Sequence, residues 1–360
     1  MTYIIPTIHF PFPIISAQPR NLVNLMTGEL LHPEINFVLK EMKQTNTDGI
    51  QFYPILNEYK ERIGKKLNTA PDTMLFSAGT ALMISILMDA FGTTAKKLII
   101  QIPSYPTWIN YAALRKIEIE KIIFGQTIPQ AFCFDNLITA LERSESAMVV
   151  ITNPHSPTGF CFSKQEMKEI SRVCSNNSHL LIVDECYAAF SEYSHDELIN
   201  SNERVILLRS FSKSHGIAGI RIGLTITSQE ICNYLSHWQP EFTVSEHAIS
   251  VLEHMLMHQE RINQVWEDIV TNREKFIFEL KKIRPDWQAL PSATNFVVFK
   301  LEHQDTPLLL TNFFAEHGIR IHNLSFLPGL NQCIRITITH WDIMQNVLKL
   351  CKEFNDNRTH

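Results

Sequence analysis

From residue 74 onward the chain alternates between two hydrophobic rhythms. Seven short runs, dense in β-branched and aliphatic residues, read as strands: MLFSAG from Met74, KLIIQIP from Lys97, IEIEKIIF from Ile117, AMVVITNP from Ala147, HLLIVDECY from His179, RVILLRSFSK from Arg204 and GLTIT from Gly223. Between them, TALMISILMDAFG, YPTWINYAALRK and KQEMKEISRVCSNN carry apolar residues at helical spacing, and the first of these is expected to end at Gly92. Continuous apolar strands that alternate with helices predict a parallel sheet buried on both faces. Upstream, residues 33–45 and 55–67 have helical periodicity, and residues 46–54 read as a loop.

Past about residue 228 the pattern changes. Residues 230–283 read as almost wholly helical, with one long stretch from 245 to 283. Then come FVVFKL, a helix near 306–317, IRIHNL, CIRITIT and a terminal helix. The expected architecture is α/β: an irregular arm over residues 1–30, a large domain over 31–245 and a smaller C-terminal α+β domain over 246–360.

Composition narrows the function classes. The length, 360 residues, corresponds to about two domains. Net charge is −5 and no run of five or six like charges occurs, so there is no global basic field for nucleic acid or an anionic membrane surface. The seven cysteines are widely spaced with no CxxC; a disulfide framework or structural zinc is not expected, and the thiols read as core fillers. MTYIIPTIHFPFPIIS is apolar, but it has no basic n-region and carries three prolines. It reads as neither signal peptide nor membrane span; Phe10 and Phe12 are expected to anchor the arm, and a cytoplasmic setting is expected. His254 and His258 stand four apart on a helix, a metal-pair spacing. No acidic or cysteine partner is in view, so a solvated face is expected and no metal site.

Ligands of open α/β sheets bind beyond the carboxyl ends of the strands, and that is where the chemistry-bearing residues fall. Lys213 follows an apolar strand, flanked by Ser210, Ser212 and Ser214; an unprotonated lysine amine can form a Schiff base with a carbonyl. Asp184 ends the run LLIV, and a carboxylate there needs a cation or donors; a protonated pyridine nitrogen would serve. NPHSPTG, from Asn153 to Gly159, is a rigid loop that can hold a polar side chain against a flat ligand. Ser77-Ala78-Gly79-Thr80 opens a helix and can cradle a phosphate, with Arg221, Ser210 and Ser212 as further donors. Taken singly, each has an ordinary alternative: a surface lysine, a helix cap, a plain turn.

Their order does not. NPHSPTG, DECY, SFSK and an arginine eight residues after the lysine together resemble the fold-type I, class I/II pyridoxal-phosphate-dependent aminotransferases, most closely the histidinol-phosphate aminotransferase subgroup. The resemblance spans roughly residues 50–340. It implies the fold-type I transferase fold, with a mostly parallel seven-stranded sheet, and a ping-pong transfer of an amino group between an L-amino acid and a 2-oxo acid. Lys213 would carry pyridoxal 5′-phosphate as a Schiff base and shuttle the Cα proton. Asp184 would pair with the ring nitrogen, and Tyr187 would hydrogen-bond the phenolic oxygen. Tyr105 would stack on the ring, while Asn153 and Ser156 lie in the loop against it. Gly79, Thr80, Ser210, Ser212 and Arg221 would hold the phosphate, joined by Tyr53 from the second copy of a homodimer. Arg335 would grip the substrate carboxylate, and Asn295 and His322 are substrate-side candidates. A decarboxylase, cyclase or lyase on the same fold is the alternative. A regulatory scaffold would need an added basic segment that is not seen.

Two positions depart from the family. Ser156 stands where asparagine usually donates to the phenolic oxygen; a hydroxyl still donates, with an altered cofactor–lysine pKa as the expected consequence. His322 stands near the arginine that contacts the substrate phosphate, with Arg320 two residues earlier, and MTGELLHP replaces the amino-terminal Asn-Glu-Asn-Pro segment. Histidinol phosphate is therefore not the expected substrate; an α-amino acid with a polar or aromatic side chain is.

Overall fold

The computed structural model describes residues 22–42, 51–95, 97–125, 132–192, 194–302 and 306–356. Phe10, Phe12 and most of the arm lie outside the described residues.

Seven strands form the central sheet: β1 (Met74–Ser77), β2 (Lys97–Ile102), β3 (Glu118–Ile123), β4 (Met148–Thr152), β5 (Leu180–Asp184), β6 (Val205–Ser210) and β7 (Gly223–Thr227). Their spatial order is β1-β7-β6-β5-β4-β2-β3. All neighbouring pairs are parallel except those of β7, which runs antiparallel to both β6 and β1. Side chains alternate across the sheet. Val149, Ile151, Leu181 and Val183 feed one buried cluster, whereas Met148, Val150, Ile182 and Leu208 feed the other. Helices Thr80–Ala95 and Pro106–Leu114 cover the second face through Met83, Leu87 and Trp108. Both faces are buried, which is why these strands read as continuous apolar runs rather than alternating ones.

A second, antiparallel sheet of four strands runs in the order His322–Asn323, Cys333–Thr337, Phe296–Lys300, Gln288–Ala289. Helices Gln259–Ile283, Pro307–Glu316 and Trp341–Asp356 accompany it. Val23–Asn24 pairs in parallel with Ile319–Arg320, and helix Pro33–Glu41 reaches Gln259–Ile283 through Glu34–Arg261 at 2.5 Å. Among the described residues no helix is long and apolar enough to cross a membrane, and Cys133, Cys174, Cys186, Cys232, Cys333 and Cys351 are free thiols.

Some boundaries differ from the sequence pattern, each for a local reason. The helix expected to stop at Gly92 runs to Ala95. Gly92 is there for packing, since a Cβ would collide with Ile117. The stretch 245–283 is two helices, Glu246–Met257 and Gln259–Ile283, broken where His258 leaves helical backbone (φ −106°, ψ 27°). The run from Arg204 to Lys213 stops being a strand at Ser210.

Candidate active site

Strand register gathers the site. Gly223 is the Cα partner of both Ser77 and Ser210. The start of β7 therefore draws together the ends of β1 and β6, and with them Thr80, Ser212 and Arg221. Asp184 pairs with Thr152 on one side and Leu208 on the other, which sets the Asn153 loop, the Asp184–Tyr187 loop and the lysine turn side by side. They enclose a cavity of about 900 Å³.

Lys213 stands on a single helical turn, Phe211–Ser214, that starts where β6 ends. The Ser210 hydroxyl accepts from the Ser212 N–H at 3.3 Å and so caps the turn. Lys213 Nζ faces the cavity and donates to the Thr27 carbonyl at 2.6 Å. Burial lowers its pKa to about 8; Glu29 opposes this and the Arg335 charge assists it. Roughly a tenth of the amine is thus unprotonated at pH 7 and about half at pH 8, which supplies the form a nucleophile requires.

Asp184 is 4% exposed. Its carboxylate accepts from the Cys186 N–H at 3.2 Å and the Trp108 indole at 3.5 Å, and among the described residues no cationic side chain reaches it. Burial raises its pKa against these donors and the Cys186 thiol. Tyr187 is buried too, which raises its pKa, while Arg335 and a hydrogen bond with Ser156 pull it down. Tyr105, at the start of its helix, lines the cavity and is 43% exposed.

The phosphate-side residues form a cradle. Thr80 begins a 16-residue helix, whose N-terminus favours an anion. Gly79 has φ 78°, and a Cβ there would lie 2.6 Å from Arg221 Nη2; a Cβ on Gly223 would lie 2.8 Å from the Thr80 nitrogen. Only glycines let the guanidinium, the turn and β7 come this close. Arg221 is exposed; among the described residues its guanidinium makes one hydrogen bond, to the Ala218 carbonyl at 3.1 Å, which leaves most of its donors for a ligand. Pyridoxal phosphate fits these residues: the buried, cation-free Asp184 suits a protonated ring nitrogen, the low-pKa Lys213 suits an aldehyde, and the glycine-lined cradle suits a phosphate.

On the substrate side, Arg335 is 5% exposed, stacked 4.6 Å over the Phe296 ring, and lines the cavity. It donates to the Met26 carbonyl at 2.5 Å and to Ser156 Oγ at 3.3 Å, and its Nε is buried without a partner. No carboxylate pairs with it among the described residues. Ser156 thus contacts Arg335 and lies near enough to Tyr187 to influence its titration. His322 is the cross-strand neighbour of Arg335, lines the cavity and is held neutral, with a pKa of about 3, by burial and by the Arg335 charge. Asn295 lies just behind the wall and donates to the Gly28 carbonyl at 3.0 Å. Three successive carbonyls, of Met26, Thr27 and Gly28, therefore accept from Arg335, Lys213 and Asn295.

One expected residue sits elsewhere. Asn153 does not face the cavity; it is fully buried, with Oδ1 accepting from the Phe162 N–H at 2.7 Å and Nδ2 donating to the Phe162 carbonyl at 3.1 Å. It closes the loop that presents Ser156. Tyr53 is 71% exposed and stacks on Phe242 rather than entering its own chain's cavity. Sequence reasoning also missed residues. Cys186, read as a core filler, lines the cavity beside Asp184 and 3.8 Å from Thr80 Oγ1; its place two residues past Asp184 was the available signal. Four of the other thiols, Cys174, Cys232, Cys333 and Cys351, are buried. Trp108 and Glu29 carried no signal. His254 contacts the Val38 carbonyl at 2.9 Å, and among the described residues no three metal-ligating side chains converge.

Comparison with known proteins agrees with this geometry. The sequence pattern of the family Aminotransferase class I and II matches residues 20–351. The chain is 26% identical over 293 residues to a histidinol-phosphate aminotransferase of Ruminiclostridium cellulolyticum, covering 81% of this chain and 78% of that one. Its fold is similar to that of the histidinol-phosphate aminotransferase from Clostridium acetobutylicum (TM-score 0.82, 20% identity, 93% of this chain and 100% of that one). It is also similar to the enzyme from Sinorhizobium meliloti in complex with pyridoxal-5′-phosphate (TM-score 0.78, 20% identity, 93% and 91%). The chain belongs to the class I and II aminotransferase family, as a pyridoxal-phosphate-dependent aminotransferase whose substrates are amino acids.

Proposed function

We propose that the transferred amino group comes from an L-α-amino acid whose carboxylate docks on Arg335. The observation that carries this reading is the buried guanidinium itself. It has no acidic partner among the described residues, keeps an unpaired Nε, and shares its cavity with Lys213 and Asp184. A buried cation in that state favours an incoming carboxylate, which a planar fork binds bidentately.

When bound, pyridoxal phosphate supplies the aldehyde that holds the amino group and a ring that accepts the electron pair left at Cα. Thr80 and its helix N-terminus, Ser210, Ser212 and Arg221 would hold the phosphate, with Gly79 giving them room. Asp184 would keep the proton on the ring nitrogen, supported by the Cys186 N–H and Trp108. Tyr187 and Ser156 would serve the phenolic oxygen, and Tyr105 would cover the ring. Lys213 would hold the cofactor's aldehyde and, once its amine is free, would accept and give back the proton at the substrate Cα; a group titrating near 8 suits both directions. Arg335 would fix the substrate carboxylate in the cavity that Lys213 also lines. Asn295 acts through Gly28 on the turn that carries the Met26 and Thr27 carbonyls.

The outer wall is apolar, with Leu308, Phe326 and Leu327, and polar at neutral His322 and at Arg320. This supports an aromatic or otherwise large side chain. A His322 imidazole with a pKa of about 3 contributes no positive charge toward a phosphate. We further propose a cytoplasmic homodimer in which Tyr53 of each copy reaches the phosphate of the other, and a division between large and small domains near residue 245. The test is a donor screen that follows conversion of the cofactor from aldehyde to amine by absorbance, with product identification. Aromatic L-amino acids are expected to drive it and yield 2-oxo acids. Efficient turnover of histidinol phosphate with no response to amino acids overturns the substrate reading, and release of CO2 overturns transamination as the reaction.

A further inference from the structure

Tyr53 and Phe242 form a face-to-face pair, with ring centroids 4.0 Å apart and planes 24° from parallel. The rings are 71% and 51% exposed. Two large aromatic side chains held together in solvent add little to a core. Phe242 also carries φ 56°, a strained left-handed backbone that bulky residues rarely adopt. The turn that holds it there is fastened: Gln239 Nε2 donates to the Phe76 carbonyl at 2.6 Å and to Thr243 Oγ1 at 2.7 Å. Phe76 lies on β1, the strand that leads to Gly79 and Thr80. Tyr53 is restricted in turn by Pro54, which disfavours helical backbone at the preceding residue.

We propose that Phe242 is a positioning residue for the cofactor site of the second copy. Its ring clamps Tyr53, which sits on an otherwise exposed loop, so that the hydroxyl is presented outward at a fixed height instead of sampling rotamers. This rests on the reading that Tyr53 reaches the other copy's phosphate. The strained backbone at 242 is kept because a relaxed one would swing the ring off Tyr53, and its anchor on β1 ties the clamp to the same strand that supplies the chain's own phosphate cradle. Stacked aromatic pairs of this geometry are worth enough to bias an exposed rotamer several-fold.

The experiment measures the dissociation constant of pyridoxal phosphate for the full-length dimer by absorbance titration, with oligomeric state followed by sedimentation. Tyr53→Phe keeps the stack and removes the hydroxyl; affinity is expected to fall about tenfold, the loss of one hydrogen bond to a charged group. Phe242→Gly tolerates the backbone and removes the clamp; about three- to tenfold is expected. Phe242→Tyr, which restores a stacking ring, is expected to stay within about twofold. The decisive arm is the double variant: in the Tyr53→Phe background, Phe242→Gly should cost nothing further. An equal loss in both backgrounds, or no loss from Phe242→Gly while Tyr53→Phe binds weakly, overturns the clamp alone. No loss from Tyr53→Phe overturns the inter-subunit reading and the clamp with it.

Discussion

Lys213→Met should make the cofactor-free chain more stable, by an amount that depends on pH. Burial moves the Lys213 ammonium from 10.5 to about 8, which corresponds to about 3 kcal/mol of folding free energy lost to holding a charged group in the cavity wall. Below about pH 8 the lysine is protonated both folded and unfolded, so the full penalty applies. Between about 8 and 10.5 the folded chain has released its proton while the unfolded chain keeps it, so folded wild type gains stability as pH rises. Above 10.5 neither form carries the charge and the penalty is gone. Methionine has similar length and no charge, and the Thr27 carbonyl it abandons faces a cavity that admits water. Urea unfolding of the two cofactor-free chains at a series of pH values is the assay, and their difference isolates Lys213 from other groups that titrate. The variant is expected to be about 3 kcal/mol more stable at pH 7, with the gap closing towards pH 10.5. A variant less stable than wild type at pH 7, or a gap that does not change between 8 and 10.5, refutes the reasoning.

The same lysine should set the rate at which cofactor-free protein takes up pyridoxal phosphate: stopped-flow absorbance should show it climbing with pH to about 8 and levelling off, and a rate that falls over this range contradicts an unprotonated amine as the attacking group. Gly79→Ala puts a methyl 2.6 Å from Arg221 Nη2 at φ 78°. It should destabilise the chain by about 1–2 kcal/mol and weaken cofactor binding about tenfold or more, with no further weakening when Arg221 is already alanine. Arg335→Lys keeps the charge but loses the planar fork and the stack on Phe296. Stopped-flow kinetics should show kcat/KM for amino-acid donors down about a hundredfold, or about 3 kcal/mol, with the cofactor dissociation constant unchanged; equal losses in both would mean that Arg335 serves the cofactor instead.

The sequence was most legible where packing dictates it. β4, β5 and β6 are buried on both faces, so LLIVD and its neighbours had to be apolar, and the polar residue that ends each run marks where the sheet opens to its ligand. Asp184 and the lysine turn could be found that way, and the family order supplied the rest. Boundaries set by tertiary contact were not legible. Gly92 looks like a helix stop until Ile117 is seen against it, and nothing local distinguishes His258 as a break. Asn153 reads as a ligand contact because its loop does face the site; only the fold shows that Phe162 takes up its amide. The carbonyls of Met26 and Thr27 are backbone atoms, without any residue-type signature. Cys186 was masked by how often a free thiol merely fills space.

The central claim is that Lys213 is the amine that binds pyridoxal phosphate. Purified chain incubated with the cofactor, reduced with borohydride and mapped by peptide mass spectrometry tests it most directly. The account predicts one stoichiometric phosphopyridoxyl modification per chain, on Lys213, absent from Lys213→Ala. A modification spread over other lysines, or none at all under conditions where pyridoxal phosphate is bound, would contradict it.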